Sequence, residues 1–252
     1  MAKQGAGELP KYQRIAAELR AAIESGQYGP GDQLPGENQL KETHQVALMT
    51  ARQALDVLKN EGIAESRKGK GVFVRAFRPV RRRGVQRLSQ EVWGSGRSVW
   101  ADDAADRDLV VDGIEVGEAP ATEPVARVLG LEPGAAVCTR HRRFVLDGKP
   151  VLLSVSHLPA ELVAGSPVTQ EDTGPGGTYA RLAELGHKPV RFREEVRSRM
   201  PSAAETRQLE LSAGTPVMRI CRTAFDGDGR AVELNEMTLD AAAYVLEYDI
   251  EA

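Results

Sequence analysis

A short helix, a turn, a longer helix and a basic glycine-tipped hairpin occupy the first 76 residues. Strand-like runs broken by turn signals at short intervals follow them. Together these predict an α+β chain in two parts: an N-terminal winged helix-turn-helix joined to a C-terminal, mostly antiparallel sheet domain. A winged helix-turn-helix sets one helix into a DNA major groove. The charge distribution agrees. The 252-residue chain has a net charge of −3, yet residues 1–83 hold 15 Lys and Arg against 9 Asp and Glu (+6), and residues 84–252 hold 18 against 27 (−9). A basic front and an acidic rear imply that only the front meets a polyanion. The expected division is 1–76 for the DNA-binding domain, 77–100 for a linker and 101–252 for the sheet domain.

Pro10 starts the first helix, and Tyr12, Ile15, Ala16, Leu19 and Ile23 recur along it at helical spacing. Ser25-Gly26 ends it. Residues 28–34 are turn-rich and extended, and supply a short strand for the wing. Pro35-Gly36-Glu37 opens the second helix, with Glu37 favourable at its positive end and Leu40 as its apolar anchor. The third helix spans about 47–60. Spacing puts Leu48, Ala51, Leu55 and Leu58 on its core face and Thr50, Arg52, Gln53 and Asp56 elsewhere. Gly62 breaks it. Residues 63–67 and 72–75 then pair as a hairpin with Lys68-Gly69-Lys70-Gly71 at the tip. Early polar residues on such a third helix reach base edges or phosphates, and an arginine can bond two guanine acceptors at once. Cations on bare glycine backbone suit a phosphate or minor-groove contact. The candidate DNA contacts are Asn38, Leu48, Met49, Thr50, Arg52, Gln53, Arg67, Lys68, Gly69, Lys70 and Gly71.

Phe77-Arg78-Pro79-Val80-Arg81-Arg82-Arg83-Gly84 is a charge run with Pro and Gly. It reads equally as added phosphate contacts and as a solvated hinge. Trp93 and Trp100 sit in a loop-like stretch, packed on the rear domain or lining a pocket mouth. In the rear, strands are expected over 107–116, 137–146, 151–157, 191–199, 217–225, 232–239 and 244–248. Helices are expected over 122–129, capped by Thr122, over 178–185 and over 203–209. Turns at Asp147-Gly148-Lys149-Pro150 and Asp226-Gly227-Asp228-Gly229-Arg230 close two hairpins. The order suggests antiparallel strands with helices on one side. The stretch beginning Leu129-Gly130-Leu131 and ending at Val137 is echoed by the one from Leu209 to Val217, which implies two related halves around a central cleft. Arg140, Arg142 and Phe144 alternate on one strand face and can enter such a cleft together. The same arginines read equally well as partners of carboxylates across the sheet. With Tyr179, Glu233 and Asn235 they form the candidate ligand cleft.

Pro10-Lys11-Tyr12, Ile15-Ala16, Leu19-Arg20, Pro30-Gly31-Asp32-Gln33-Leu34-Pro35, Glu37, Leu40, Thr50, Arg52, Ala54-Leu55, Leu58, Glu61-Gly62 and Gly69-Lys70-Gly71-Val72-Phe73-Val74 agree in order and spacing with one family. On them the front resembles the GntR superfamily of bacterial transcription regulators. In the rear, Leu131-Glu132-Pro133-Gly134, the Asp147 turn with His157-Leu158-Pro159, Thr178-Tyr179 and Gly214-Thr215-Pro216-Val217 resemble the UTRA effector domain of the HutC subfamily, whose fold is like chorismate lyase. The resemblance implies a homodimeric, sequence-specific regulator, a repressor of an inverted-repeat operator in double-stranded DNA, whose affinity changes when a small-molecule effector fills the rear cleft. Departures fall where DNA is read. Ala47 and Leu48 stand where the family usually has Ser or Thr and very often Arg. Gly36 stands where Ser is frequent, and Asn38 where some relatives carry Arg. The last hairpin, Glu233-Leu234-Asn235-Glu236, is less basic than in relatives that bind sugar phosphates, which favours a less anionic ligand.

Other classes find little support in the sequence. No run approaches the ~18 apolar residues of a membrane span, and the N-terminus has no apolar signal core, so a cytoplasmic location is expected. Cys138 and Cys221 read as reduced thiols. His44, His141, His157 and His187 show no spacing for a triad or a metal, and no nucleophile, Walker or zinc motif is present. No metal, cofactor or enzyme activity is expected. The rival readings are a catalytic, lyase-like rear domain and an interaction module with degenerate DNA binding.

Overall fold

Helices α1 (Lys11–Glu24), α2 (Glu37–His44) and α3 (Leu48–Asn60) precede a hairpin of β1 (Ala64–Arg67) and β2 (Gly71–Val74). This computed structural model describes residues 9–76, 79–83, 88–89, 91, 94–95 and 107–249. Trp93 and Trp100, and Phe77, Arg78 and Gly84 of the charge run, lie outside the described residues. The chain divides into two units, residues 1–78 with 212–215, and the remainder from Pro79 onward.

The first unit is built as its periodicity dictates. Ile15 and Leu19 on α1, Leu40 on α2, and Ala51, Leu55 and Leu58 on α3 share one core with Leu34 and Val74. Leu48 departs from the expectation that placed it inward, since it is 39% exposed. Spacing fixes a residue's angle about the helix axis, but not how far the helix end projects beyond its neighbours. Segment 31–34 joins the wing as expected: Leu34 N donates to Val72 O at 2.9 Å and Val74 N to Asp32 O at 2.8 Å. Gly71 is required there. Its φ is +116°, and a Cβ would lie 2.9 Å from Gln33 Nε2. The turn between α2 and α3 rests on Gln45 in the left-handed region, at φ 49°. The N-cap of α3 is Ala47, with no side-chain cap bond. Ala47→Ser is therefore expected to raise stability by about 1 kcal/mol. Urea unfolding measures this, and an unchanged midpoint would mean the helix's first N–H groups are already satisfied.

The second unit contains β3 (Val80–Arg83), β4 (Leu109–Pro120), α4 (Glu123–Leu129), β5 (Ala136–Leu146), β6 (Lys149–Pro159), α5 (Ala160–Val163) and α6 (Gly177–Glu184). It continues with β7 (Arg191–Arg199), α7 (Ala203–Gln208), β8 (Val217–Phe225), β9 (Ala231–Asp240) and β10 (Tyr244–Glu247). Six strands form an antiparallel sheet in the order β4-β5-β6-β9-β8-β7. The last strand, β10, stands outside it and pairs in parallel with β3. The charge run expected as linker or phosphate contact thus contains a strand of the second unit. Val80 and Arg82 are buried, while Arg81 and Arg83 turn outward onto Glu247 at 2.8 and 3.3 Å. Three consecutive arginines concealed that two-residue alternation.

Helices flank both faces of the sheet, not one. Neighbours along a strand point to opposite faces. Val137 packs with Val125, Ala126 and Leu129 of α4, whereas Cys138 packs with Val163 of α5 and Tyr179 and Leu182 of α6. The central strands carry apolar residues on both faces, so both need cover. Thr122 occupies the N-cap of α4 but makes no side-chain cap bond. The first hairpin closes in two residues, Asp147 and Gly148, both at positive φ (49° and 77°). Lys149 and Pro150, expected in the turn, already belong to β6.

The echo in the sequence has a counterpart in the topology. β4–α4–β5–β6 is repeated as β7–α7–β8–β9, and the sheet reads the same from either edge, with β6 and β9 in the middle. Val155 lies opposite Glu236 there, near an approximate two-fold axis. Matching Val137 to Val217 makes Arg142 the counterpart of Arg222. Among the described residues, no helix is long and apolar enough to cross a membrane.

Candidate nucleic-acid interface and ligand cleft

At the start of α3, Leu48, Met49, Arg52 and Gln53 are exposed and Thr50 is half-buried; Asn38 on α2 is exposed too. Arg52 is held in place by Glu37: its Nε and NH2 donate to the two carboxylate oxygens at 2.9 and 2.8 Å. That ion pair raises the arginine's pKa and lowers the glutamate's. It presents the planar guanidinium fork in a fixed orientation on the exposed side of α3. On the wing, Arg67, Lys68, Gly69, Lys70 and Gly71 are all exposed. Arg67 lies over the Phe73 ring at 4.4 Å, and Gln33 Nε2 donates to Lys70 O at 2.8 Å, tying the tip to segment 31–34.

In the second unit all six expected cleft residues, Arg140, Arg142, Phe144, Tyr179, Glu233 and Asn235, line one cavity of about 640 Å³. The sequence reading missed Arg222, Val111, Ile114 and the 171–178 segment, which complete its walls. The two arginines on β5 differ in what they do. Arg140 donates from NH1 to Val168 O (2.5 Å) and to Gln170 O, and from NH2 to Glu171 O (2.9 Å). It clamps the loop that walls the cavity, and burial lowers its pKa. Arg142 makes one such bond, NH2 to Ser156 Oγ at 2.6 Å. Its Nε is buried without a hydrogen-bond partner among the described residues. Burial lowers its pKa to about 10, against the opposing pull of Glu233. Glu233 is 2% exposed, and its Oε2 is likewise buried and unpartnered. Asn235 Oδ1 accepts from Ser154 Oγ at 2.8 Å. Phe144 closes the cavity on one side, and the Tyr179 ring is 5.2 Å from Phe192. Among the described residues, neither arginine is spent in a surface ion pair.

One cross-strand row supplies three of the cavity's lining residues, Arg140, Asn235 and Arg222. Successive partners run Val116, Arg140, Ser156, Asn235, Arg222 and Glu194, from β4 to β7.

A helix and wing of this kind in one unit, with a polar cavity in the other, define a transcription regulator that couples DNA binding to a small molecule. The chain belongs to the GntR family of bacterial regulatory proteins: residues 11–74 match that family and residues 105–245 match the UTRA domain. This is the HutC-type arrangement. It is 30% identical to an uncharacterized HTH-type transcriptional regulator of Streptomyces coelicolor, over 98% of this chain and 94% of the relative. It is 29% identical to the HTH-type transcriptional repressor NagR of Bacillus subtilis, over 89% and 88%. The crystal structure of PhnF from Mycobacterium smegmatis superimposes with a TM-score of 0.59 at 26% identity, covering 94% of this chain and 99% of that one. Family and relatives alike are transcription regulators, not enzymes.

Proposed function

We propose that the chain is a homodimeric repressor that reads an inverted repeat through α3 and the β1–β2 wing. It releases that operator when a small polar ligand with an acidic group fills the cleft. The observation that carries the reading is that buried polar atoms without a hydrogen-bond partner among the described residues, Arg142 Nε and Glu233 Oε2 among them, belong to residues lining one cavity. Buried polar atoms are ordinarily satisfied, so a cavity whose lining leaves a donor and an acceptor open fits a ligand that supplies both partners. Relatives named as repressors support the direction of control. Two copies are needed because one recognition helix spans only one half-site. The working division is a DNA-binding domain over 1–76 and an effector domain over 101–252 to which β3 is added, and the place of work is the bacterial cytoplasm, where the chromosome lies.

Arg52→Ala is expected to cost about 1–3 kcal/mol of operator binding and to relax specificity at one base pair. Lys70→Ala should weaken all sequences alike and reduce the salt slope by about 1. Band shifts at several salt concentrations separate the two. The cleft is tested by selecting operator fragments with the full chain, screening small acids for release, and repeating the release with Arg142→Ala. Release that survives this substitution, at unchanged ligand concentration, would sink the cleft assignment.

A further inference from the structure

Glu233 of β9 lines the cleft, is 2% exposed, and is short of hydrogen-bond donors rather than of opposite charge. Arg140 and Arg142 line the same cavity, and Glu233 favours the charged form of each. Their hydrogen bonds go elsewhere. Arg140 directs NH1 and NH2 to the carbonyls of Val168, Gln170 and Glu171, and Arg142 directs NH2 to Ser156. Glu233 Oε2 has no donor among the described residues. Thr178 of α6, 8% exposed and also in the lining, has its Oγ1 buried and likewise unpartnered among the described residues. Asn235 accepts from Ser154 through Oδ1, which leaves its amide NH2 as a donor in the lining. Val111, Ile114 and Phe144 add apolar surface to the same cavity.

A hydroxyl and an ammonium can both donate to a buried carboxylate, but they differ in charge. An ammonium at Glu233 would be a third cation beside Arg140 and Arg142, and like charges repel strongly where solvent is scarce. A hydroxyl donates without adding charge, and its oxygen still accepts, so hydroxyls suit an open acceptor and an open donor alike. We propose that the acidic ligand is polyhydroxylated, with neighbouring hydroxyls seated on Glu233, Thr178 and Asn235 and its C–H surface on Val111, Ile114 and Phe144. The class is a hydroxylated carboxylic acid, such as a sugar acid. A singly charged carboxylate suits a lining that already holds Glu233, Glu171 and Asp172. A plain acid of the same shape would close Glu233 off from water without giving it a donor, and a site built to bond a hydroxyl rejects the analogue that lacks one. Glu233 is then the residue that sets specificity. The hydroxyl seat rests on the acidic-ligand reading of the cleft given above, and adds what the remainder of that ligand carries.

Calorimetry of the full chain with matched acids tests the seat. Glycerate, threonate and glucuronate carry hydroxyls. Propionate, butyrate and cyclohexanecarboxylate offer similar frames without them, and β-alanine and γ-aminobutyrate carry an ammonium instead. At least one hydroxylated acid is expected to bind about ten-fold or more tightly than its plain counterpart and than either ammonium acid, the effect of one hydrogen bond to a charged group. Plain acids that bind as tightly as their hydroxylated partners overturn the proposal and leave the acidic-ligand reading standing. Tighter binding by an ammonium acid does the same. If none of the acids binds, the acidic-ligand reading falls and the hydroxyl seat with it. Glu233→Gln keeps the size of the side chain and removes the charged acceptor. It should weaken the hydroxylated acid about ten-fold relative to the plain one. A preference that survives Glu233→Gln, or equal weakening of both ligands as a purely structural role would give, overturns the proposal. Two ligands measured on one variant cancel any loss of folded protein. The preference shown by the native chain decides the matter if Glu233→Gln does not fold.

Discussion

A chain ending at residue 78 is expected to fold, to be monomeric, and to bind operator on the order of 10²-fold or more weakly than the full chain. The hydrophobic core of the first unit draws only on residues between Tyr12 and Val74; residues 212–215, which group with this unit and are lost on truncation, do not belong to that core. In the proposed dimer, what truncation removes is the link between two heads. With both heads joined, the second half-site is met at an effective concentration set by the tether, which multiplies affinity by about 10²–10⁴ without any new contact. The separated head should also show about half the salt slope, because half as many phosphates are neutralised. Sedimentation and band shifts measure both. A truncated head that still dimerises, or that binds at full strength, would contradict the proposed assembly.

Arg140→Met is expected to destabilise the second unit by about 3 kcal/mol or more and to disable the cleft with it. Its guanidinium satisfies three backbone carbonyls, of Val168, Gln170 and Glu171. Hydrogen bonds to a charged donor contribute roughly 1.5–3 kcal/mol each, and a buried carbonyl left unpaired costs about 1–3. Arg142→Met should behave differently. It gives up one bond, to Ser156, and relieves the burial of a charge, so stability should change by only about 1 kcal/mol while ligand response is lost. Urea unfolding of the two variants separates a loop clamp from a ligand contact. Equal stability of Arg140→Met and the native chain would remove the clamp role.

The head was legible because its signals are local. Helix spacing, the Gly26 and Gly62 stops and the glycine-tipped wing each act within a few residues, and each element falls within a residue or two of its expected span. Leu48 is the exception, since its surroundings depend on where one helix ends against others. In the rear, strands and turns were legible for the same reason, but their cover was not. That α4 and α6 lie on opposite faces depends on which partners each strand acquires, and these lie far along the chain. Arg140 and Arg142 looked equivalent because alternation gives a shared face; only the loop that folds over Arg140 distinguishes them. Arg222 was within reach. Extending the echo five residues past Val137 and Val217 places it level with Arg142. The buried Arg82 was hidden by its neighbours, because a run of arginines reads as solvated charge until a strand partner such as β10 divides it into an inner and an outer row.

The approximate two-fold of the sheet carries a consequence for stoichiometry. Where Arg140 and Glu233 face the cavity, their counterparts in the repeat are Ile220 and Leu152, and these pack beneath Val80 of β3 and Tyr244 of β10. The duplicated frame thus offers two equivalent berths. One is open to a guest, and the other is permanently filled by the chain's own polypeptide. Under the proposed cleft reading the expected stoichiometry in this frame is one molecule per chain, and the built-in occupant of the second berth is the strand that follows the DNA-binding unit.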